Sequence, residues 1–150
     1  FFLCVLKRAG VKLGYLIKCY CMFVRPLVEY AAPVWHPGLT TRQSGLLEPV
    51  QRQSMYTLLP DSSYAEALEI TGLQTLCERR DKLCLNFAQG LLTSGEFSSW
   101  LPPRRGQCHQ RTLRNNQKLA TLKTRTKRFS MSPIAHFTRL LNSNCAPGVA

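Results

Sequence analysis

The chain has 150 residues, 45% of them apolar, with 20 Lys and Arg against 8 Asp and Glu for a formal charge of +12; this is the composition of one globular domain, or of one domain with a tail. All eight acids lie at or before Glu96, so residues 97–150 carry ten basic side chains and no acid, whereas residues 1–96 are nearly balanced at +2. The two aspartates, Asp61 and Asp81, stand twenty residues apart. A two-metal phosphoryl-transfer centre needs several carboxylates converging on ions roughly 3.5–4 Å apart, so the scatter argues against a self-contained polymerase or nuclease.

Residues 1–9 read as the end of a helix closed by Gly10. A second helix is predicted over 12 to about 32, with Leu13, Leu16, Ile17, Tyr20, Phe23, Val24, Leu27 and Ala31 on one apolar face. Pro26 lies inside it and should kink it near Met22, with Arg25 and Glu29 paired i,i+4 across the kink; Pro33 and Pro37 end the segment. Thr40 or Thr41 caps a third helix reaching about Leu59, with Leu46, Leu47, Val50 and Leu58 as its apolar side and Pro49 as an interior defect. Pro60-Asp61-Ser62 is a turn. Two capping boxes follow, Ser63-x-x-Glu66 and Thr75-x-x-Glu78. The first opens a short helix closed by Gly72. The second opens one that runs to about Thr93, with Leu76, Leu83, Cys84, Phe87, Ala88 and Leu91 as its stripe and Gly95 beyond it.

From Trp100 the character changes. WLPPRRG cannot continue a helix, and residues 104–128 hold nine Arg or Lys in 25 positions with few large apolar groups, so this segment reads as extended or disordered when free. Pro133 serves as the first residue of a last short helix with Ile134, Phe137, Leu140 and Leu141 apolar. The fold class is therefore all-α: a small helical bundle over 1–96, a basic and largely irregular arm over 97–132, a short terminal helix over 133–142 and a tail over 143–150.

Leu13 to Trp35 is the most apolar stretch, but Lys18, Arg25 and Glu29 interrupt it, so no transmembrane helix and no membrane partner are expected. FFLCVLKRAG lacks both a leading basic segment and the roughly 7–15-residue core of a signal sequence; opening at Phe1, it reads as a piece of a longer chain. Seven cysteines without a C-x-x-C, most of them inside apolar helical patterns, read as free core thiols in a reducing compartment, nucleus or cytoplasm. Cys108-His109 with distant Cys145 lacks zinc-ligand spacing, and no metal or other cofactor is expected.

Residues 24–40, VRPLVEYAAPVWHPGLT, closely resemble the segment after the polymerase core of non-LTR retrotransposon reverse transcriptases, the LINE-type enzymes of the jockey and chicken-repeat-like kind. The resemblance extends to LKRAGV before it, to LLEPVQR and SYAEALEITGLQTLCERRDKLCLNFAQGLL after it, and to TLRNNQ and LKTRTKRFSMSPIAHFTRLLN near the end, so it covers nearly the whole chain. It implies a helical thumb that holds the primer–template duplex, followed by a basic region that binds RNA or target DNA. The chain departs from the family in three ways. The catalytic palm with its paired aspartates is absent. Pro49 and Met55-Tyr56-Thr57 replace polar, basic and alanine-rich residues. Ser132-Pro133-Ile134-Ala135 stands where the family has Ile-Pro. The resemblance thus implies a non-catalytic part of an RNA-directed DNA polymerase, not an enzyme by itself, with RNA or DNA as partner and no small-molecule substrate.

Charge alone points to the same partner. Arg104, Arg105, Arg111, Arg114, Lys118, Lys123, Arg125, Lys127 and Arg128 are each able to neutralise a phosphate and release a counterion, with Asn115, Asn116 and Gln117 as uncharged donors. Phe129 is the only aromatic this reading places near them, so base stacking is expected to be sparse. Lys12, Lys18 and Arg25, beside Tyr15, Tyr20 and Tyr30, form a weaker candidate surface, since tyrosines at helical spacing are more often core. Trp35, His36, Cys77 and Cys84 read as packing residues. Three alternatives stay open beside nucleic-acid binding: a solvated basic tail, a helical protein-interaction module, and a degenerate transposon remnant without selected function.

Overall fold

The computed structural model describes residues 2–108 and 116–144. Arg111, Arg114, Asn115, His109 and Cys145 lie outside the described residues. Among those described the fold is all-α, without a β-strand.

α1 (Phe2–Arg8) ends at Gly10, whose φ of 78° is left-handed. The Gly10 N–H donates to the Lys7 carbonyl and the Val11 N–H to the Leu6 carbonyl, the paired bonds of a Schellman end. The run expected from 12 to 32 divides. α2 (Leu13–Cys19) passes into a π turn at Tyr20–Val24 and then α3 (Arg25–Glu29). Pro26 has no N–H for the Met22 carbonyl, and the ladder widens here, with the Arg25 N–H donating to the Tyr20 carbonyl five residues back. The inserted residue turns the following side chains by about 100°. The expected apolar face therefore holds through the buried Leu16 and Tyr20 and then fails. Phe23 and Leu27 are exposed, and Val24 alone of the later positions packs inward. The helix stops at Glu29, because Ala31 takes a φ of 51°. Pro33 does not end the segment but enters a short helix, α4 (Ala32–Trp35), followed by a 3₁₀ turn at His36–Gly38.

The expected helix from Thr41 to Leu59 is two. α5 (Thr41–Gly45) is capped by Thr40 in a box with Gln43. α6 (Glu48–Leu58) places Pro49 in its first turn, where a missing N–H has no intrahelical partner to lose, so Pro49 is not an interior defect. The buried face of α6 is Gln51, Ser54, Met55 and Leu58; Leu46 and Val50 are exposed. The start separated from α5 sets a different face inward than a single continuous helix would.

α7 (Tyr64–Thr71) and α8 (Leu76–Thr93) begin at the two expected capping boxes. The Ser63 N–H donates to Glu66 at 2.8 Å and the Glu66 N–H to Ser63 Oγ at 3.3 Å; the Thr75–Glu78 pair repeats this at 3.2 and 3.3 Å. The Ser63 backbone N–H, then its hydroxyl, holds the Glu66 carboxyl below the ordinary carboxylate range. Gly72 closes α7 at φ 67°, with nothing within 4 Å of where a Cβ would stand. Gly72→Ala is accordingly expected to lower stability by about 1 kcal/mol through backbone strain alone, read as a shift in urea midpoint at constant m-value.

The chain forms two compact units. One comprises residues 2–32 with Leu39–Arg80, the other Pro33–Gly38 with the described part of 81–144. The boundary expected at 96 falls within the second unit. The first unit packs around Leu3, Leu16, Tyr20, Met55, Leu58 and Ala67. The second packs around Cys84, Ala88, Leu91, Leu101, Leu119, Phe137 and Leu141, with Ile134 and Leu140 against them. Its later helices are α9 (Arg105–Cys108), α10 (Lys127–Ser130) and α11 (Pro133–Asn144). Phe87, expected in the α8 stripe, is 43% exposed, and Leu83 is half-buried.

The basic segment is not wholly extended and free, as its composition suggested. Arg104 and Leu119 form an antiparallel bridge, with the Arg105 N–H donating to the Lys118 carbonyl and the Ala120 N–H to the Pro103 carbonyl, both at 2.8 Å. The Asn142 side chain accepts from the Leu119 N–H and donates to its carbonyl, as a neighbouring strand would. Two buried leucines, Leu101 and Leu119, supply the reason; each contributes about 1.5–3 kcal/mol of burial that average composition conceals.

Of the described cysteines Cys84 lies in the second unit's core and the half-buried Cys19 and Cys21 pack against the first unit's, as expected of core thiols, whereas Cys4 is half-buried and Cys77 and Cys108 are exposed. Among the described residues no helix is long and apolar enough to cross a membrane.

Candidate nucleic-acid interface

Seven of the nine arm residues are described. Arg104, Lys123, Arg125, Lys127 and Arg128 are exposed; Arg105 and Lys118 are half-buried. The bridge brings Arg104, Arg105 and Lys118 together. The Arg104 guanidinium donates to the Gln117 side-chain carbonyl, and Arg105 Nη2 donates to Thr121 Oγ1 at 2.8 Å. Both partners are neutral, so the guanidinium groups are held in place with their charge uncompensated. Lys123 and Arg125 follow in irregular chain. Lys127 and Arg128 open α10, whose cap is the Thr126 hydroxyl accepting from the Phe129 N–H. Among the described residues none of these seven forms an ion pair.

Lys12, Lys18 and Arg25 belong to the first unit. Lys12 is exposed just before α2. The Lys18 ammonium stands 5.6 Å from the Tyr15 ring centroid, within cation–π range. Arg25 Nε lies 3.4 Å from Glu29 Oε1, the expected i,i+4 pair, and Arg79 Nε meets the same oxygen at 3.3 Å. The charge of Arg25 is therefore already matched by a carboxylate. Tyr20 is fully buried, whereas Tyr15, on α2 ahead of the π turn, and Tyr30, after it, are exposed.

Five of the eight acids are occupied in structural bonds. Glu66 and Glu78 close capping boxes, Glu29 holds two arginines, and Glu48 accepts from the Tyr64 hydroxyl and from the Leu76 N–H. Asp81 Oδ1 lies 2.9 Å from His36 Nε2, which gives the buried His36 a partner that sequence distance concealed. The His136 ring stands edge-on to His36 at 6.5 Å. Burial foremost, then Arg139 and to a smaller degree His36, holds the His136 imidazole below its ordinary pKa against the opposing pull of Asp81. Among the described residues no group of three His, Cys, Asp or Glu converges as metal ligands would.

Two features escape a reading by periodicity. One is a buried polar chain in the first unit. Tyr20 Oη donates to Gln51 Oε1 at 2.8 Å, and Gln51 Nε2 donates to Tyr64 Oη and to the Gln74 carbonyl. The other is an exposed aromatic pair beside the arm, Phe97 and Trp100, with ring centroids 5.0 Å apart. Its signal was the F-x-x-W spacing directly ahead of Pro102-Pro103-Arg104-Arg105.

Comparison of the chain with protein-family models, with curated proteins and with solved structures finds no match.

Proposed function

We propose that this chain is a non-catalytic nucleic-acid-binding part of a non-LTR retrotransposon reverse transcriptase, holding primer–template or element RNA through backbone contacts. The observation that carries the reading is the charge arrangement of the second unit. Arg104, Arg105, Lys118, Lys123, Arg125, Lys127 and Arg128 lie on the described stretches 104–108 and 116–128, which the Arg104–Leu119 bridge joins, without ion pairs among the described residues. The only acids in 81–150 are Asp81 and Glu96, and Asp81 faces His36. Such a segment attracts polyphosphate and releases its counterions. The helical first unit agrees with the thumb that the sequence resemblance implies. The structural bonds of Glu29, Glu48, Glu66, Glu78 and Asp81 support assigning catalysis elsewhere.

The test is binding of the full chain to a labelled oligonucleotide across a salt series. If about six phosphates are engaged, log K falls against log salt with a slope near −4 to −5. Replacing Lys123, Arg125, Lys127 and Arg128 with Gln is expected to reduce that slope by about 3 and weaken binding accordingly. An unchanged slope removes this segment from the interface.

One observation favours a second reading, a protein-interaction module. Met22 and Phe23 in the π turn and Leu27 and Tyr30 after it expose large apolar surface, and Phe23 stacks edge-on with Phe2 at 5.7 Å. Absence of nucleic-acid binding at every salt concentration would make it the better account.

A further inference from the structure

Phe97 and Trp100 are 42% and 57% exposed, although their apolar surface is large and a core lies one residue away at Leu101. Their placement is fixed. The Ser98–Trp100 turn is tied by the Trp100 N–H to the Phe97 carbonyl at 3.1 Å and by the Leu101 N–H to the Ser98 carbonyl at 3.2 Å. Leu101 is buried to 6%, and Pro102-Pro103 then stiffens the chain. The two rings meet at 62°, edge to face, and more than half of the Trp100 surface stays open to solvent. Ser98 and Ser99, which lie between the two rings in the chain, line an open groove of about 440 Å³ whose other walls include Leu92, Leu101, Leu119, Arg104 and Gln107. That volume lies within the range of sites for small planar ligands. Arg104 lines the groove, exposed and with its guanidinium held by Gln117; the next residue, Arg105, is half-buried outside the lining and held by Thr121, and neither is neutralised by a carboxylate.

An open indole, a groove lined from the same turn and an anchored guanidinium group are complementary to one ligand chemistry: a planar heterocycle followed by a phosphate. In a duplex the base faces are closed by their neighbours; in an unpaired strand they are available. We infer that the Phe97–Trp100 rim and the Arg104 groove form a binding site for single-stranded nucleic acid, with a base stacked on Trp100 and the adjoining phosphate on Arg104. This rests on the nucleic-acid reading above and adds strand state to it. An acidic peptide would satisfy Arg104 but offer the indole no planar partner.

The experiment measures the full chain against a single-stranded oligouridylate, an oligothymidylate of the same length and a blunt duplex, by fluorescence anisotropy at one salt concentration, with the salt slope taken for each. Trp100→Ala is expected to weaken binding to the single strands about 5- to 150-fold, to leave the duplex and the salt slope unchanged, and to be largely rescued by Trp100→Phe. Equal effects on oligouridylate and oligothymidylate support stacking alone; a larger effect on one adds a contact to the 2′-hydroxyl or to the thymine methyl and supports the site equally. Circular dichroism of Trp100→Ala, an exposed position, checks that the fold is retained. Equal weakening on duplex and single strand, no weakening at all, or equally tight and Trp100-dependent binding of polyglutamate overturns the inference. If wild type binds neither strand form, the reading under Proposed function fails. If it binds both alike and Trp100→Ala is silent, only the single-strand site fails.

Discussion

Replacing Gln51 with Leu is expected to destabilise the chain by about 2–4 kcal/mol, a large share of the roughly 5–15 kcal/mol a domain of this size has. Gln51 is 1% exposed and joins three segments that the sequence separates widely: Tyr20 on the π turn, Tyr64 at the start of α7, and the Gln74 carbonyl just before α8. Leucine fills much of the volume but leaves the fully buried Tyr20 hydroxyl without its acceptor and the Gln74 carbonyl without that donor. Each orphaned group costs about 1–3 kcal/mol. Tyr64 suffers less, since its hydroxyl still donates to Glu48. Tyr20→Phe alone should cost about 1 kcal/mol, and the double variant should cost less than the sum, because one orphan is then absent. Urea denaturation of the four proteins reads the cycle; strict additivity would show that Tyr20 and Gln51 are not coupled.

The same network has an alkaline signature. Burial pushes the Tyr20 hydroxyl well above its ordinary value of 10.0, and burial followed by the Glu48 hydrogen bond does so for Tyr64. A group whose folded pKa is raised contributes stability that is fully present below the unfolded value and is lost as pH climbs above it. Stability is therefore expected to fall above about pH 10, and less steeply in Tyr20→Phe, as read by denaturation midpoints across that range.

The parts legible in the sequence were those set by local chemistry. Ser63, Thr75 and Thr40 cap helices because hydroxyl and amide groups a few residues apart satisfy each other whatever the surroundings, and Gly10 and Gly72 end helices because their φ is positive. Ile134, Phe137, Leu140 and Leu141 were legible because α11 is uninterrupted and its period holds. The errors cluster at prolines. Pro26 adds a residue to the turn and carries Phe23 and Leu27 to the surface; Pro49 starts a new helix and brings Gln51 inward in place of Val50. Periodicity assumes one unbroken helix, so a change of phase inverts the face without altering a single residue type. The candidate site was legible as charge. Its order was not, since Leu119 pairs with Arg104 and Asn142 across distances in the chain that composition does not encode. His36 and Asp81 were hidden for the same reason.

That order makes Phe137 the residue on which the shape of the basic segment depends. Phe137 is 2% exposed, packs in the cluster that holds Leu101 and Leu119, and stands 5.6 Å from the Phe87 ring. Phe137→Ala is expected to cost about 3–5 kcal/mol through lost burial and the cavity left behind. The loss should be concentrated in the second unit. Hydrogen exchange at the amides of Arg105, Leu119 and Ala120, whose bonds to Lys118, Asn142 and Pro103 fasten the segment, should accelerate by about 100-fold or more. The basic side chains themselves are unchanged, so a salt slope measured on nucleic acid should persist. What should disappear is any preference for single strands that depends on Trp100, because Leu101 no longer holds the aromatic pair at the rim. Phe87→Ala, at a ring 43% exposed, is the comparison and should cost markedly less. Were the three amides to keep their protection in Phe137→Ala, anchoring by this core would be the wrong explanation, and the backbone bridge with Asn142 would have to hold the segment without it.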